Sequence, residues 1–162
     1  MRLVHKNSEI LTRPAKRVGC KQGREQGRRL LAFLRSINNQ KLSSRRAIGI
    51  AAPQVGLDAA VCAVSFPANN EFILVNPEII FFDTTTVEDI EHCLSLPGEA
   101  YIIERSVRIQ VKADNFDKVL HFGPKFGEIW TPDELLESRC IQHEIHHTQG
   151  ILISHIGKQL KF

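Results

Sequence analysis

The sequence predicts an α+β fold: short strands in antiparallel sheets, with a basic amphipathic helix before them and a sharply capped helix near the end. Three observations predict it. Apolar residues recur at helical spacing between Gln22 and Asn39; short Val/Ile/Phe-rich runs follow from Ala47 onward; and a sharply capped segment from Thr131 to Gly150 carries two histidines four residues apart. The chain has 162 residues, 43% hydrophobic and 24% charged, which suits one core and is short for two, so residues 1–162 are expected to form a single domain.

In the first helix Leu30, Leu31, Leu34 and Ile37 lie among Arg24, Arg28, Arg29 and Arg35, an apolar stripe opposite a basic one. The apolar runs Ala59–Phe66, Phe72–Val75, Glu78–Phe82, Ser106–Lys112 and Lys118–Phe122 have the length and β-branched content of strands. Most links between them are too short for helical crossovers, which predicts antiparallel pairing. In the last long helix Thr131 is placed to cap the N-terminus, Pro132 to occupy the first helical position, Glu134 to close a capping box and Gly150 to end the helix. Leu136, Cys140, His143 and His147 then share one face.

Charge is unevenly distributed. Residues 1–46 hold 13 Lys/Arg against 2 acids, whereas residues 47–162 hold 8 against 16, so a basic front precedes an acidic body. Such a front is either a solvated helix face or a surface for RNA or another polyanion. No apolar run approaches the roughly 18 residues of a membrane span, and the N-terminus lacks a secretory pattern. A cytoplasmic protein is expected, with no DNA or membrane partner. Cys20, Cys62, Cys93 and Cys140 are scattered without CxxC pairs, so free thiols are expected rather than a disulfide framework.

His143-Glu144-Ile145-His146-His147 contains HExxH. On a helix, the four-residue spacing brings His143 and His147 to one face, where both imidazoles can hold one metal ion, and leaves Glu144 alongside as a base for water. A catalytic site takes three protein ligands, and the usual downstream donors are missing. No Asp or Glu follows Glu144, and in HExxHxxGxxH register Gly150 fits but Ile153 stands where histidine should. The third donor must come from upstream. Cys93, in Glu91-His92-Cys93-Leu94-Ser95 before a Pro-Gly turn, can complete a Cys/His/His set as a thiolate, with His92 as a rival and a buried hydrophobic role as the alternative for Cys93. A third segment, Ala47-Ile48-Gly49-Ile50-Ala51-Ala52-Pro53-Gln54, lets a substrate approach the backbone and offers the Gln54 amide to an oxyanion.

Together and in this order, AIGIAAPQ (Ala47–Gln54), EHCLS (Glu91–Ser95) and QHEIHH (Gln142–His147) resemble the peptide deformylase motifs GxGxAAxQ, EGCLS and QHExDH. The similarity continues through Asn7–Val18, Asn76–Ile79, Arg105 and Gly150–Ser154. The resemblance implies the peptide deformylase-like α+β fold, with antiparallel sheets packed around the metal-binding HExxH helix, and hydrolytic removal of formyl from the N-terminal formylmethionine of new polypeptides. It assigns Cys93, His143 and His147 as metal ligands, with Fe²⁺ expected natively and Zn²⁺, Ni²⁺ or Co²⁺ in purified protein. Glu144 becomes the base, and Gln54 with the Leu94 backbone N–H becomes the oxyanion donor pair. Gly49 is expected to align the peptide; Ile48, Leu136 and Ile141 are expected to line the methionine pocket. The alternative is an inactive or altered-specificity protein of the same fold that binds N-terminal peptides.

Three positions depart from the motifs: Ala47 and His92 replace glycines, and His146 replaces an aspartate, changing a partner of Arg105 or Glu91. Only Ile151–Phe162 follow the metal helix, as in short members of the family, some of them phage-encoded, which lack a long C-terminal helix. A phage-encoded chain would act in its host's cytoplasm. A monomer is expected, with the basic front as a candidate ribosome contact.

Overall fold

The computed structural model describes residues 1–40, 46–67 and 70–161. Lys41 and Arg45, two of the basic residues counted above, lie outside them. The amphipathic segment forms helix α1 (Cys20–Asn39), which buries Leu30, Leu31, Leu34 and Ile37. Gly23 and Gly27 lie on the same face: a Cβ on Gly27 would meet the Ile73 side chain at 2.1 Å, so bare backbone sets how closely α1 approaches the sheet.

Nine strands form three antiparallel three-stranded sheets among the described residues. β1 (Gly49–Ala51), β2 (Val61–Ser65) and β3 (Glu71–Val75) form the first, in the order β1-β2-β3. β4 (Glu78–Phe82), β7 (Ile109–Lys112) and β8 (Leu120–Phe122) form the second. β5 (Thr86–Glu91), β6 (Tyr101–Ser106) and β9 (Lys158–Gln159) form the third. The predicted run Ser106–Lys112 is divided: Ser106 ends β6 and β7 begins at Ile109. The division is held by Ser106 Oγ, which lies 2.8 Å from the backbone oxygens of both Asp83 and Arg108 and shares its one proton between them. β5, Thr-Val-Glu-Asp-Ile-Glu, carries no apolar run: it exposes most of its side chains and owes its strand state to the ladder with β6.

Helix α2 (Pro132–Thr148) lies between the sheets with the predicted ends. Glu134 N–H donates to Thr131 Oγ1 at 3.3 Å, and Thr131 N–H returns a bond to the Glu134 carboxylate at 2.9 Å. Gly150 adopts φ 75° while Ile151 N–H bonds the His146 carbonyl at 2.9 Å, and a Cβ there would strike the Arg13 backbone at 2.6 Å. One core joins Ile141, Ile145 and Cys140 to the first two sheets; a second joins α1 to Ile50, Val61, Ala63 and Val75. A short helix α3 (Ile153–Ile156) follows, and Ile153 packs with Cys93, Leu96, Tyr101 and Ile103. No described helix is long and apolar enough to cross a membrane.

Candidate metal centre

β5 ends at Glu91, and the chain turns through residues 92–98, with Leu96 N–H on the Cys93 carbonyl at 3.0 Å. That turn aims Cys93 at the buried face of α2. Cys93 Sγ lies 3.2 Å from His147 Nε2, which is 3.2 Å from His143 Nε2. The three donor atoms all lie within 4.8 Å of one another. His143 Nδ1 is 2.8 Å from the Glu91 carboxylate, so it carries the proton and leaves the Nε2 lone pair facing Cys93 and His147. One thiolate and two imidazoles suit a transition-metal ion such as zinc or iron, and the donor set therefore fits a metal. His92, the rival donor, is exposed and turns Nδ1 to the Glu99 carbonyl at 3.3 Å.

The electrostatics favour a thiolate at Cys93 and, before a cation binds, a second proton on His143. Burial would push the Cys93 thiol up, yet the His147 and His143 rings beside it draw it well below its ordinary value, towards the thiolate. Burial likewise opposes charge on His143, but hydrogen bonds to Cys93 and Glu91 outweigh it and raise the imidazole to about 10. A divalent cation displaces protons held in this way.

Glu91 is the hub behind the ligands. Arg105 donates to both its oxygens at 2.8 Å, and Arg139 Nη1 donates to Oε1 at 2.9 Å. All three side chains are buried. His146 completes the cluster by accepting from Arg105 Nη1 at 2.9 Å. Burial and the Arg105 charge hold the His146 imidazole down at about 4, the neutral form that this acceptor role requires. The expected change at His146 thus falls on Arg105. Arg139 lies outside the three motifs, and the signal for it in the sequence is a cation on the motif face of α2, one turn before His143.

On the far side of the donors, Gln54 accepts the Ala51 N–H at 2.8 Å through Oε1, which turns its Nε2 to Ser95 Oγ at 3.1 Å and towards Cys93 Sγ at 3.7 Å. Glu144 is buried, and its Oε2 has no hydrogen-bond partner. Burial pushes its carboxyl up against the opposing effect of His143 and His147. A Cβ on Gly49 would meet Glu144 Oε1 at 2.5 Å, so glycine here leaves that carboxylate its place.

These groups line one cleft of about 850 Å³ whose walls include Ile48, Gly49, Gln54, Cys93, Leu94, Leu136, His143 and Glu144. Ile141 is a correction: it is fully buried in the core with Ile145, and Cys140 takes a place in the cleft wall. One helical residue turns the side chain by about 100°, enough to move it from cleft to core.

The polypeptide deformylase family profile matches residues 1–161. Peptide deformylase 2 of Clostridium perfringens is 32% identical over 74% of this chain and 72% of its own length. The peptide deformylase of Lachnoclostridium phytofermentans is 44% identical over 65% of this chain and 60% of its own length. Among solved structures, the Thermotoga maritima peptide deformylase superposes with a TM-score of 0.72 at 26% identity, covering 96% of this chain and 95% of that one. The Synechococcus elongatus enzyme, in complex with actinonin, has a TM-score of 0.78 at 26% identity, covering 97% and 78%.

Proposed function

Since this chain belongs to the polypeptide deformylase family, we propose that it hydrolyses the N-formyl group from the N-terminal formylmethionine of newly made polypeptides, releasing formate. The observation that carries the reading is the convergence of Cys93, His143 and His147 beside a buried, unpartnered Glu144 carboxylate oxygen. The family acts with a metal ion; Cys93, His143 and His147 would hold it here, Fe²⁺ natively and Zn²⁺, Ni²⁺ or Co²⁺ after purification. When bound, the ion supplies a Lewis acid that makes water a better nucleophile near neutral pH.

Glu144 takes a proton from the attacking water and returns it to the departing amine. Burial favours its protonated form, which suits a group that must hold a proton between the two steps. The Gln54 amide and the Leu94 backbone N–H donate to the oxygen that gains charge as the formyl carbon becomes tetrahedral. Gly49 aligns the peptide, while Ile48 and Leu136 supply apolar wall for methionine. Residues 1–162 act as one catalytic domain, a monomer in the cytoplasm, or in the host's cytoplasm if the chain is phage-encoded. The presence of Gln54, Cys93, Glu144 and both histidines supports this reading, and no observation favours the inactive one.

The decisive experiment is formate release from a formyl-Met peptide by iron-loaded protein prepared without oxygen. Release is expected from the unmodified chain, and Cys93→Ala is expected to lose both bound metal and activity; undiminished metal affinity in that variant would exclude Cys93 as a ligand.

The basic front offers a ribosome contact. Arg28 and Arg29 are exposed on α1, whereas Arg24 bonds the Asn115 carbonyl and Arg35 pairs with Glu71. Binding to ribosomes is expected to weaken with added salt and to fall when Arg24, Arg28 and Arg29 are all changed to Gln; salt-independent binding in a sedimentation assay would remove this proposal.

A further inference from the structure

Among the described residues, β1 stands at the edge of its sheet, paired on one side only, with β2. Ser65 N–H donates to the Ile48 carbonyl at 2.7 Å, so the chain just before β1 continues the same ladder and Ile48 turns its carbonyl towards β2. By the alternation of an antiparallel strand, Ala47, Gly49 and Ala51 turn their backbone groups to the other, unpaired side. Such an edge is a template for an extended peptide.

Two of those three positions are already taken by side-chain amides. Asn38, near the end of α1, accepts the Ala47 N–H through Oδ1 and donates to the Ala47 carbonyl through Nδ2, each at 2.9 Å. Gln54 accepts the Ala51 N–H at 2.8 Å. One carboxamide thus mimics a neighbouring strand at Ala47 and another covers the N–H at Ala51. Gly49 lies between them, in the wall of the cleft beside Glu144.

We infer that Asn38 closes the substrate-pairing edge of β1 at Ala47, confining strand-like recognition of the peptide to Gly49. The inference rests on the deformylase reading. With the formyl group at the Gln54 and Cys93 end, the peptide runs antiparallel to β1, from Ala51 back towards Ala47. A methionine paired with Gly49 brings the third residue, two further on, beside Ala47, whose N–H and carbonyl are occupied. Asn38 is therefore a positioning residue that makes the site short: the first residue pairs, and the third gains no backbone bond along this edge.

The test compares formyl-Met-Ala amide with formyl-Met-Ala-Ser-Ala amide, in the unmodified chain and in Asn38→Ala, both iron-loaded without oxygen. In the unmodified chain, kcat/KM is expected to change less than about three-fold on lengthening. In Asn38→Ala the longer peptide is expected to gain roughly three- to ten-fold over the shorter, mostly in KM, because the released backbone groups bind ground state and transition state alike. Asn38→Asp, which keeps the acceptor for the Ala47 N–H and loses the donor, is expected to fall between them and serves if the alanine variant does not fold. Hydrogen exchange gives a readout independent of turnover: the Ala47 amide is expected to be protected in the unmodified chain without peptide and to lose that protection in Asn38→Ala. A gain above about three-fold on lengthening in the unmodified chain, no greater length dependence in either variant than in the unmodified chain, or an Ala47 amide that exchanges equally fast in both proteins would each overturn the inference. Absence of formate from both peptides with the unmodified chain would overturn the deformylase reading itself, and this inference with it.

Discussion

Replacing Glu91 by glutamine is expected to cost about 3–5 kcal/mol of folding stability and to lower metal affinity roughly 10- to 100-fold. The side chain is nearly isosteric, so the effect isolates charge. Arg105 and Arg139 are both buried and both donate to this one carboxylate, which also holds His143. Without it two guanidinium charges share a desolvated space with no counter-charge, and the tautomer of His143 loses its anchor. The Asp83–Arg108 and Arg35–Glu71 pairs are more exposed on the arginine side and do not compensate. Urea unfolding of the unmodified and variant proteins measures the first effect, and competition with a chelator measures the second. A stability loss below about 1 kcal/mol would place this cluster with surface ion pairs and remove Glu91 from its structural role.

Glu144→Ala is expected to lower kcat by roughly 10²- to 10⁴-fold with metal content unchanged. Glu144 is not among the three donors that converge on one point, so truncation leaves the ligand set intact. The same change is expected to leave stability equal or higher. A buried carboxylate with an oxygen that lacks a hydrogen-bond partner is a desolvation cost carried by the folded state, and alanine relieves it. Measured together, kcat, bound metal and thermal midpoint separate a proton-transfer role from a packing role: a packing residue would lose stability before activity. Turnover within ten-fold of the unmodified enzyme would rule out Glu144 as the base.

How far the sequence led is clearest at particular residues. The α2 ends were legible because caps are local chemistry: Thr131, Pro132, Glu134 and Gly150 act on backbone groups within a few residues of themselves. The apolar stripe of α1 was legible for the same reason, since helical period is a property of spacing alone. β5 was not, because its strand state comes from pairing with β6 and not from composition. Ile141 was misplaced because one helical step decides between cleft and core, and that step depends on which sheet the helix meets.

By itself, the sequence determined a set of candidate groups: the His143 and His147 pair with Glu144 beside it, the Cys93 thiol with His92 as its rival, the Gln54 amide and the open backbone at Gly49. Covalent spacing and residue type are enough to specify such a set. Only the tertiary structure decided how it is held. Glu91 meets Arg105, Arg139 and His143 from three separate elements, and Asn38 reaches Ala47 from the end of another helix. Those contacts depend on the angle and distance at which helices pack on sheets, set by the shape of the whole core and by bare backbone such as that of Gly27 against Ile73. The helix pair and the glutamate beside it are thus local properties of this chain, whereas the placing of Cys93 rather than His92 against that pair, the second layer of charges and the length of peptide edge left open are properties of its packing.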